Sequence, residues 1–218
     1  MLVKDCMTRH PIMVSPDSAA SEARRIMTEN SIRHLPVAST GKRLEGLLTR
    51  QCFSLEPEVV GSLDVWDITK YVSGLNVKNI MIKAEHVSTI EPDRTIERAA
   101  RTMTENKVGS LPVIEDDIVV GIVTHVDLLE AVQEMLGLLE EGVRVTMRMP
   151  NRPGEFAKLA SALIENQMGV VGIGTYPTPR RDGFYDAVVK IANASEEEVE
   201  SVLGQIADQE VIDVRDVV

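Results

Sequence analysis

The chain has 218 residues, 44% of them hydrophobic, 26% charged and only 3% aromatic. It is long enough for one large or two small domains, and its cores must come from Val, Ile, Leu, Ala and Met. A formal net charge of −11 argues against non-specific binding to nucleic acid or to a membrane surface, both of which need a basic patch. Two cysteines, Cys6 and Cys52, are too few for a disulfide framework. With no apolar run long enough to cross a bilayer, and no apolar stretch behind Lys4 and Asp5 to make a signal peptide, a cytoplasmic location is expected.

In chain order, Ile12-Met13-Val14, bounded by Pro11 and Ser15-Pro16-Asp17, reads as a short strand entering a turn. Ser18 is placed to cap a helix with Ala19, Ala23, Ile26 and Met27 on one face, ending near Asn30. Leu35-Pro36-Val37 starts a second strand, Gly41-Lys42 makes a turn, and Leu44 to Thr49 is a third strand, after which another helix should begin. Residues 56–77 are acidic, through Glu56, Glu58, Asp64 and Asp67. Val65, Ile68, Val72 and Leu75 recur there at helical spacing, so the segment reads as an amphipathic linker helix carrying the only tryptophan, Trp66. Such a helix either packs on its neighbours as a connector or docks a partner. His86 to Ile90 is the next strand, and Thr95 caps a helix carrying Ile96, Ala99, Ala100 and Met103. Leu111 to Ile114 and Ile118 to Thr124 are strands around a Glu115-Asp116-Asp117 turn, and His125 to Leu139 reads as a long helix.

Two stretches of this chain nearly repeat. Met27-Thr28-Glu29-Asn30 and Leu35-Pro36-Val37 return as Met103-Thr104-Glu105-Asn106 and Leu111-Pro112-Val113. Around them Pro16-Asp17 answers Pro92-Asp93, Gly46-Leu47-Leu48-Thr49 answers Gly121-Ile122-Val123-Thr124, and Cys6-Met7 answers Ile80-Met81. The spacing drifts by only one or two residues, which loops absorb. The repeat covers about residues 1–139, and each copy reads as strand, helix, strand, strand, helix. A unit of that size cannot bury its sheet alone, so the two copies should pack on each other.

Gly142 starts a different pattern. Val143, Val145 and Met147 alternate with Arg144, Thr146 and Arg148, as in a half-buried strand. Asn151-Arg152-Pro153-Gly154 is a loop opening a helix with Phe156, Leu159, Ala160 and Leu163 on one face. Strands over 170–176 and 185–192 follow, then a helix in which Ser195 and Glu198 have capping-box spacing, then a strand over 211–217. This βαββαβ order is the ferredoxin-like arrangement. The fold class expected is therefore α/β (α+β): two repeats plus a ferredoxin-like unit.

A Leu-Pro-Val strand followed by Gly-x-x-Thr-x-x-Asp resembles the CBS domain, which in tandem forms a Bateman module. Leu111-Pro112-Val113 with Gly121, Thr124 and Asp127 carries that pattern in full, whereas the first copy has Cys52 where the Asp would stand. Asn151-Arg152-Pro153-Gly154 after a first strand resembles the ACT domain, in which Asp-Arg-Pro-Gly is common; Gly169-Val170-Val171 stands where an Asn is often found. CBS domains at 1–55 and 78–141, a linker at 56–77 and an ACT domain at 142–218 together resemble the acetoin-utilisation AcuB-type family, which is regarded as regulatory.

An adenosine ligand needs an apolar slot for its base, a carboxylate for the ribose diol, and cations or amide N–H groups for phosphate. The resemblance implies that AMP, ADP or ATP binds between the repeats. Asp127 would accept the ribose hydroxyls and Thr124 would bond the ribose or a phosphate oxygen. Pro11, Ile12 and Ile32 would face the base, and Arg33 and His34 the phosphates. Thr124 and Asp127 are also good helix caps, so a purely structural role stands beside this one. The mirror-image site, Thr49 and Cys52 against Val108, Gly109 and Ser110, lacks the carboxylate and the basic pair, so one nucleotide per chain is expected. Cys52 there is either a small apolar filler or a redox sensor.

His10, His34, His86 and His125 show no metal-ligand spacing, and no metal or required cofactor is expected. In the ACT-like segment, Gly154 would let a ligand carboxylate approach a helix N-terminus beside Asn151, which makes an amino acid the expected ligand. Otherwise the loop only shapes a turn and the segment is a dimer surface. No nucleophile–base pair, metal cluster or phosphate-cradling loop is visible. The expected function is a non-catalytic ligand sensor, homodimeric, signalling by conformational change to an unidentified protein. The alternative is a structural dimerisation protein with no small-molecule ligand.

Overall fold

Ala20, Ala23 and Met27 recur three and four residues apart, and the helix they define, α2 (Ala20–Glu29), buries all three. The same logic sets α4 (Ile96–Asn106), which buries Ile96, Ala99 and Met103. In this computed structural model, residues 1–54 and 74–216 are described. The linker helix expected around Val65, Ile68 and Val72, with Trp66, lies outside the described residues. The chain divides into two compact units, Met1–Leu128 and Leu129–Val218.

The first unit begins with α1 (Val3–Cys6) and β1 (Thr8–Arg9), then α2, β2 (His34–Ala38) and β3 (Leu44–Thr49). A single 3-10 turn, Arg50–Phe53, follows β3. After residue 74 come α3 (Val77–Ile80), β4 (Ile82–Lys83), α4, β5 (Ser110–Glu115), β6 (Ile118–Thr124) and α5 (His125–Met135). Thr95 caps α4 as expected, its Oγ1 accepting from Arg98 N at 3.3 Å.

Several local expectations are corrected. Ser18 does not cap α2: Ala19 holds that position, and the Ser18 carbonyl accepts from Val77 N at 2.9 Å instead. Of Ile12 to Val14 only Val14 pairs, in a parallel bridge to Val37, because Pro11 and Pro16 bracket the run without donors. Of His86 to Ile90 only Ile90 pairs, with Val113, and Ala84–His86 coils into a 3-10 turn. The helix expected to reach Leu139 stops at Met135, because Gly137 adopts a left-handed φ of +67°.

Each repeat completes the other's sheet. The sheets are ordered β2-β3-β4 and β1-β6-β5, so the short edge strand of each comes from the opposite repeat. β4 pairs with β3 through Gly46↔Lys83 and Leu47↔Ile82, and β1 pairs with β6 through Thr8↔Ile122 and Arg9↔Gly121. The repeated glycine is needed where these strands cross. A Cβ on Gly46 would lie 2.4 Å from the Ile82 carbonyl oxygen, and one on Gly121 would lie 2.5 Å from Met7 Sδ. The exchange extends to the cores. Val77 is buried with Val14, Ala23, Met27, Leu35, Val37 and Leu48 of the first repeat. In the reverse direction, Val3 N and Lys4 N donate to the carbonyls of Arg94 and Pro92 at 2.8 and 3.0 Å. Sequence boundaries at 55 and 78 therefore cut across both sheets.

The second unit comprises β7 (Val143–Pro150), α6 (Glu155–Glu165), β8 (Gly169–Pro177), β9 (Phe184–Ala192), α7 (Glu196–Leu203) and β10 (Glu210–Asp216). Residues 129–141 group with it, so the division falls inside α5 and not at Gly142. Its strands form an antiparallel sheet ordered β10-β7-β9-β8, the ferredoxin-like topology. Val143, Val145, Met147 and Met149 alternate into a core with Leu159, Leu163, Val199 and Leu203. Phe156, expected on the buried face of α6, is 50% exposed. Ser195 and Glu198 form the capping box of α7. On β8, Gly172 and Gly174 leave room for the chain itself: a Cβ on Gly172 would sit 2.3 Å from the Leu136 carbonyl carbon.

Candidate functional site

Thr124 closes β6 and Asp127 stands in the first turn of α5, three residues on, the spacing at which two side chains can cap each other. Asp127 Oδ2 accepts from Thr124 N at 2.6 Å and from Thr124 Oγ1 at 2.8 Å. Asp127 N in turn reaches Thr124 Oγ1 at 3.4 Å. The cap occupies one carboxylate oxygen; Oδ1 accepts no hydrogen bond from the described residues. The pair is thus fixed in place with a lone-pair face left over.

Both residues line a cleft of about 480 Å³ within the first unit. Thr124, Asp127, Pro11, Ile12, Ile32, Arg33 and His34, which the sequence singled out, all line it. Ile122 and Val126 add apolar wall. Mixed walls of this kind, largely apolar with a few converging polar groups, are the usual form of a small-molecule site.

Sequence reading missed six residues of the lining, Thr8, Ser31, Ile122, Val126 and two that carry titratable rings, His10 and His125. With His34 they bring three of the chain's four histidines into one cleft. His125 Nδ1 lies 3.0 Å from the Gly109 carbonyl, so that nitrogen carries the proton. A Cβ on Gly109 would meet His125 Nδ1 at 3.3 Å and His34 Cε1 at 3.5 Å, so a glycine spaces the two rings. Burial above all, then the neighbouring His125 and Arg33, holds the His34 pKa below its ordinary 6.5. Among the described residues no three His, Cys, Asp or Glu side chains are grouped to hold a metal.

At the mirror-image position, Thr49 N and Oγ1 approach Cys52 Sγ at 3.4 and 3.5 Å. The cap geometry is repeated there with sulfur in place of a carboxylate. Ser110, the counterpart of His34, is buried, and its Oγ has no partner among the described residues.

In the second unit, Asn151 and Gly154 share one exposed loop. Asn151 N donates to the Gly183 carbonyl at 2.8 Å, and Gly154 caps α6 with a left-handed φ of +94°. The cations beside this loop are already engaged. Glu155, its side chain 3% exposed, lies 2.7 Å from Arg152 Nε and 3.0 Å from Lys158 Nζ, and Gln209 Nε2 is 3.2 Å away. Led by Lys158, these donors hold its carboxyl at about 2. The folded state therefore binds this proton less readily than the unfolded chain. Stability from Glu155 should be fully present above pH 4.5 and should be lost as the pH falls from there to about 2. A Glu155→Gln variant should unfold more easily at neutral pH and lose less stability than the parent on acid titration followed by circular dichroism.

Residues 3–52 and 77–134 match the CBS domain. Among curated relatives, the homoserine O-acetyltransferase of Methanohalobium evestigatum is 33% identical over 135 residues, which are 61% of this chain and 24% of that enzyme. The chain thus spans about a quarter of that relative's length. Among solved structures, a Vibrio cholerae protein named for acetoin utilization (AcuB) aligns at 25% identity and a TM-score of 0.52, over 64% of this chain and 96% of its own. CBSX2 of Arabidopsis thaliana, solved in complex with AMP, shares the fold at 22% identity and a TM-score of 0.52, over 62% of this chain and 97% of its own. The two repeats, with their exchanged edge strands and the cleft they enclose, are a tandem pair of CBS domains.

Proposed function

We propose that this protein is a non-catalytic regulatory sensor that binds an adenine nucleotide, AMP, ADP or ATP, in the cleft between its CBS domains. The observation that carries this reading is the convergence of three chemistries in one 480 Å³ space: apolar walls, a capped carboxylate with a free oxygen, and Arg33 among the histidines. Pro11, Ile12 and Ile32 would hold the base, Asp127 Oδ1 and Thr124 the ribose, and Arg33 and His34 the phosphates. The AMP complex of CBSX2 supports the reading at the level of the fold. Likeness to AcuB extends it to acetoin utilisation. Cys52 in place of a carboxylate supports one nucleotide per chain.

The ferredoxin-like unit is read as an ACT domain that takes an amino acid at Asn151 and Gly154. The chain would act as a cytoplasmic homodimer on a protein still to be identified. Leu129, Val132 and Met135 support self-association, since they expose an apolar stripe along α5, 60%, 44% and 46% accessible. α5 starts at the ribose contact, so it is the element through which a bound nucleotide would signal.

Calorimetric titration of the full chain with AMP, ADP and ATP tests the central claim. Saturation at one nucleotide per chain is expected, and no heat with any of the three would remove it. The pH dependence has a definite sign. A phosphate beside His34, facing Arg33, His10 and His125 with Asp127 opposite, would raise a pKa that the empty cleft holds down. Binding should then take up protons, tighten as the pH falls from about 8 to about 6, and show an enthalpy that varies with buffer ionisation. Affinity that is flat across this range would separate the histidines from the phosphates.

A further inference from the structure

The charges that line the cleft between the CBS repeats are few. Arg33 is the one Lys or Arg among the lining residues, and Asp127 is the one Asp or Glu. His10, His34 and His125 are the histidines there. Arg33 is exposed and makes no ion pair among the described residues, whereas Arg25, Arg101, Arg148 and Arg152 are each held by a carboxylate. Its guanidinium is therefore available to an incoming anion. Burial keeps His34 below the ordinary histidine pKa, so at pH 8 its ring is neutral until an anion arrives.

The matching positions of the second repeat add no cation. Gly109 and Ser110 stand where Arg33 and His34 stand in the first, and the Gly109 carbonyl already accepts from His125 Nδ1 at 3.0 Å. The fixed charge of the lining is thus one guanidinium against one carboxylate. Adenosine monophosphate carries about two negative charges at pH 8, and the triphosphate about four. One guanidinium, with a histidine protonated in response, answers the first. The two further phosphates of the second would find no fixed cation, in a space that already holds Asp127 and in a chain of net charge −11.

On the reading of this cleft as an adenine-nucleotide site, we infer that it selects the monophosphate over the triphosphate, and that Arg33 sets this one-phosphate limit. Selection is by charge and not by size. Conditions that neutralise the triphosphate, or that charge the histidines, should therefore weaken it.

The test titrates adenosine, AMP and ATP into the full chain by calorimetry. At pH 8 without magnesium, AMP should bind at least about tenfold more tightly than ATP. Magnesium neutralises about two charges of ATP, so at pH 8 with magnesium the gap should narrow to about threefold or less. Lowering the pH to 6 should narrow it in the same way, because histidines of the cleft then gain charge. Arg33→Gln, at an exposed position, should weaken AMP about tenfold and leave adenosine unchanged. Failure of all three compounds to bind, adenosine included, would remove the nucleotide reading and this selectivity with it. ATP binding as tightly as AMP at pH 8 without magnesium, beside normal binding of AMP, would overturn the selectivity alone. A gap that neither acid nor magnesium narrows would overturn charge as its cause, and an unchanged AMP affinity in Arg33→Gln would overturn the role of Arg33.

Discussion

Gly46→Ala should cost about 3 kcal/mol of folding stability, near the top of what overpacking a well-filled site usually costs. The added methyl would lie 2.4 Å from the Ile82 carbonyl oxygen and 2.8 Å from Met81 Sδ. Met81 can swing its thioether aside, but the carbonyl belongs to β4, and it can retreat only if β4 leaves β3. That separation breaks the Gly46↔Lys83 and Leu47↔Ile82 pairing and loosens α3, whose Val77 is fully buried in the first repeat's core. The matched change on the other sheet, Gly121→Ala, is the control. Its nearest obstacle is the far end of a flexible side chain, Met7 Sδ at 2.5 Å, with the Thr8 carbonyl more distant at 3.1 Å. It should cost about 1 kcal/mol. Urea unfolding of both variants, followed by circular dichroism, distinguishes them. Equal losses would mean that the strand crossing is not what demands the glycine.

Asp127→Ala should weaken AMP binding about 10- to 100-fold, or roughly 1.5–3 kcal/mol, because the ribose hydroxyls would lose their acceptor inside the cleft. The same change removes the cap on Thr124 and should lower the stability of the empty protein by about 1 kcal/mol. The two effects are separable. Asp127→Asn keeps an oxygen where Oδ2 caps Thr124 but loses the charge that strengthens hydrogen bonds from two hydroxyls. It should melt within a few degrees of the parent and still bind AMP about tenfold more weakly. Calorimetry on both variants, with thermal melts in the absence of nucleotide, reads each effect by itself. Normal AMP affinity in Asp127→Asn would leave Asp127 as a helix cap and nothing more.

Much of the fold was legible because duplication states the same pattern twice. Residues 27–37 and 103–113 fix two helices and two strands by their agreement, and the alternation from Val143 to Met149 fixes the central strand of the second unit. The strand exchange was not legible. β1 and β4 are two residues each, too short to show a period, and their partners lie in the other repeat. The end of α5 was misread because Leu138 and Leu139 continue an apolar rhythm that Gly137 has already broken.

The seven cleft residues selected from sequence come from three separate segments, and the fold brings them to one space. His10 and His125 were weighed from the sequence only as metal ligands, because nothing periodic links them to the cleft, although His125 directly follows Thr124. Glu155, in the first turn of α6, was not singled out from the sequence. Arg152 and Lys158, three residues to either side, were the sign that it would be buried and held ionised.

The exchanged edge strands also constrain how the chain can be made. A ribosome delivers residues 1–49 before residues 77–83, yet the sheet they enter is incomplete until Ile82 and Lys83 emerge, and the core is open until Val77 arrives. β1 in turn waits for β6, which follows it much later in the chain. A nascent chain halted between these points presents β3 with an unpaired edge, the kind of surface that recruits chaperones or captures β4 from a neighbouring copy. Neither CBS repeat should therefore be expressible by itself as a soluble monomer, and half-length fragments should accumulate as strand-swapped aggregates unless both halves are made together.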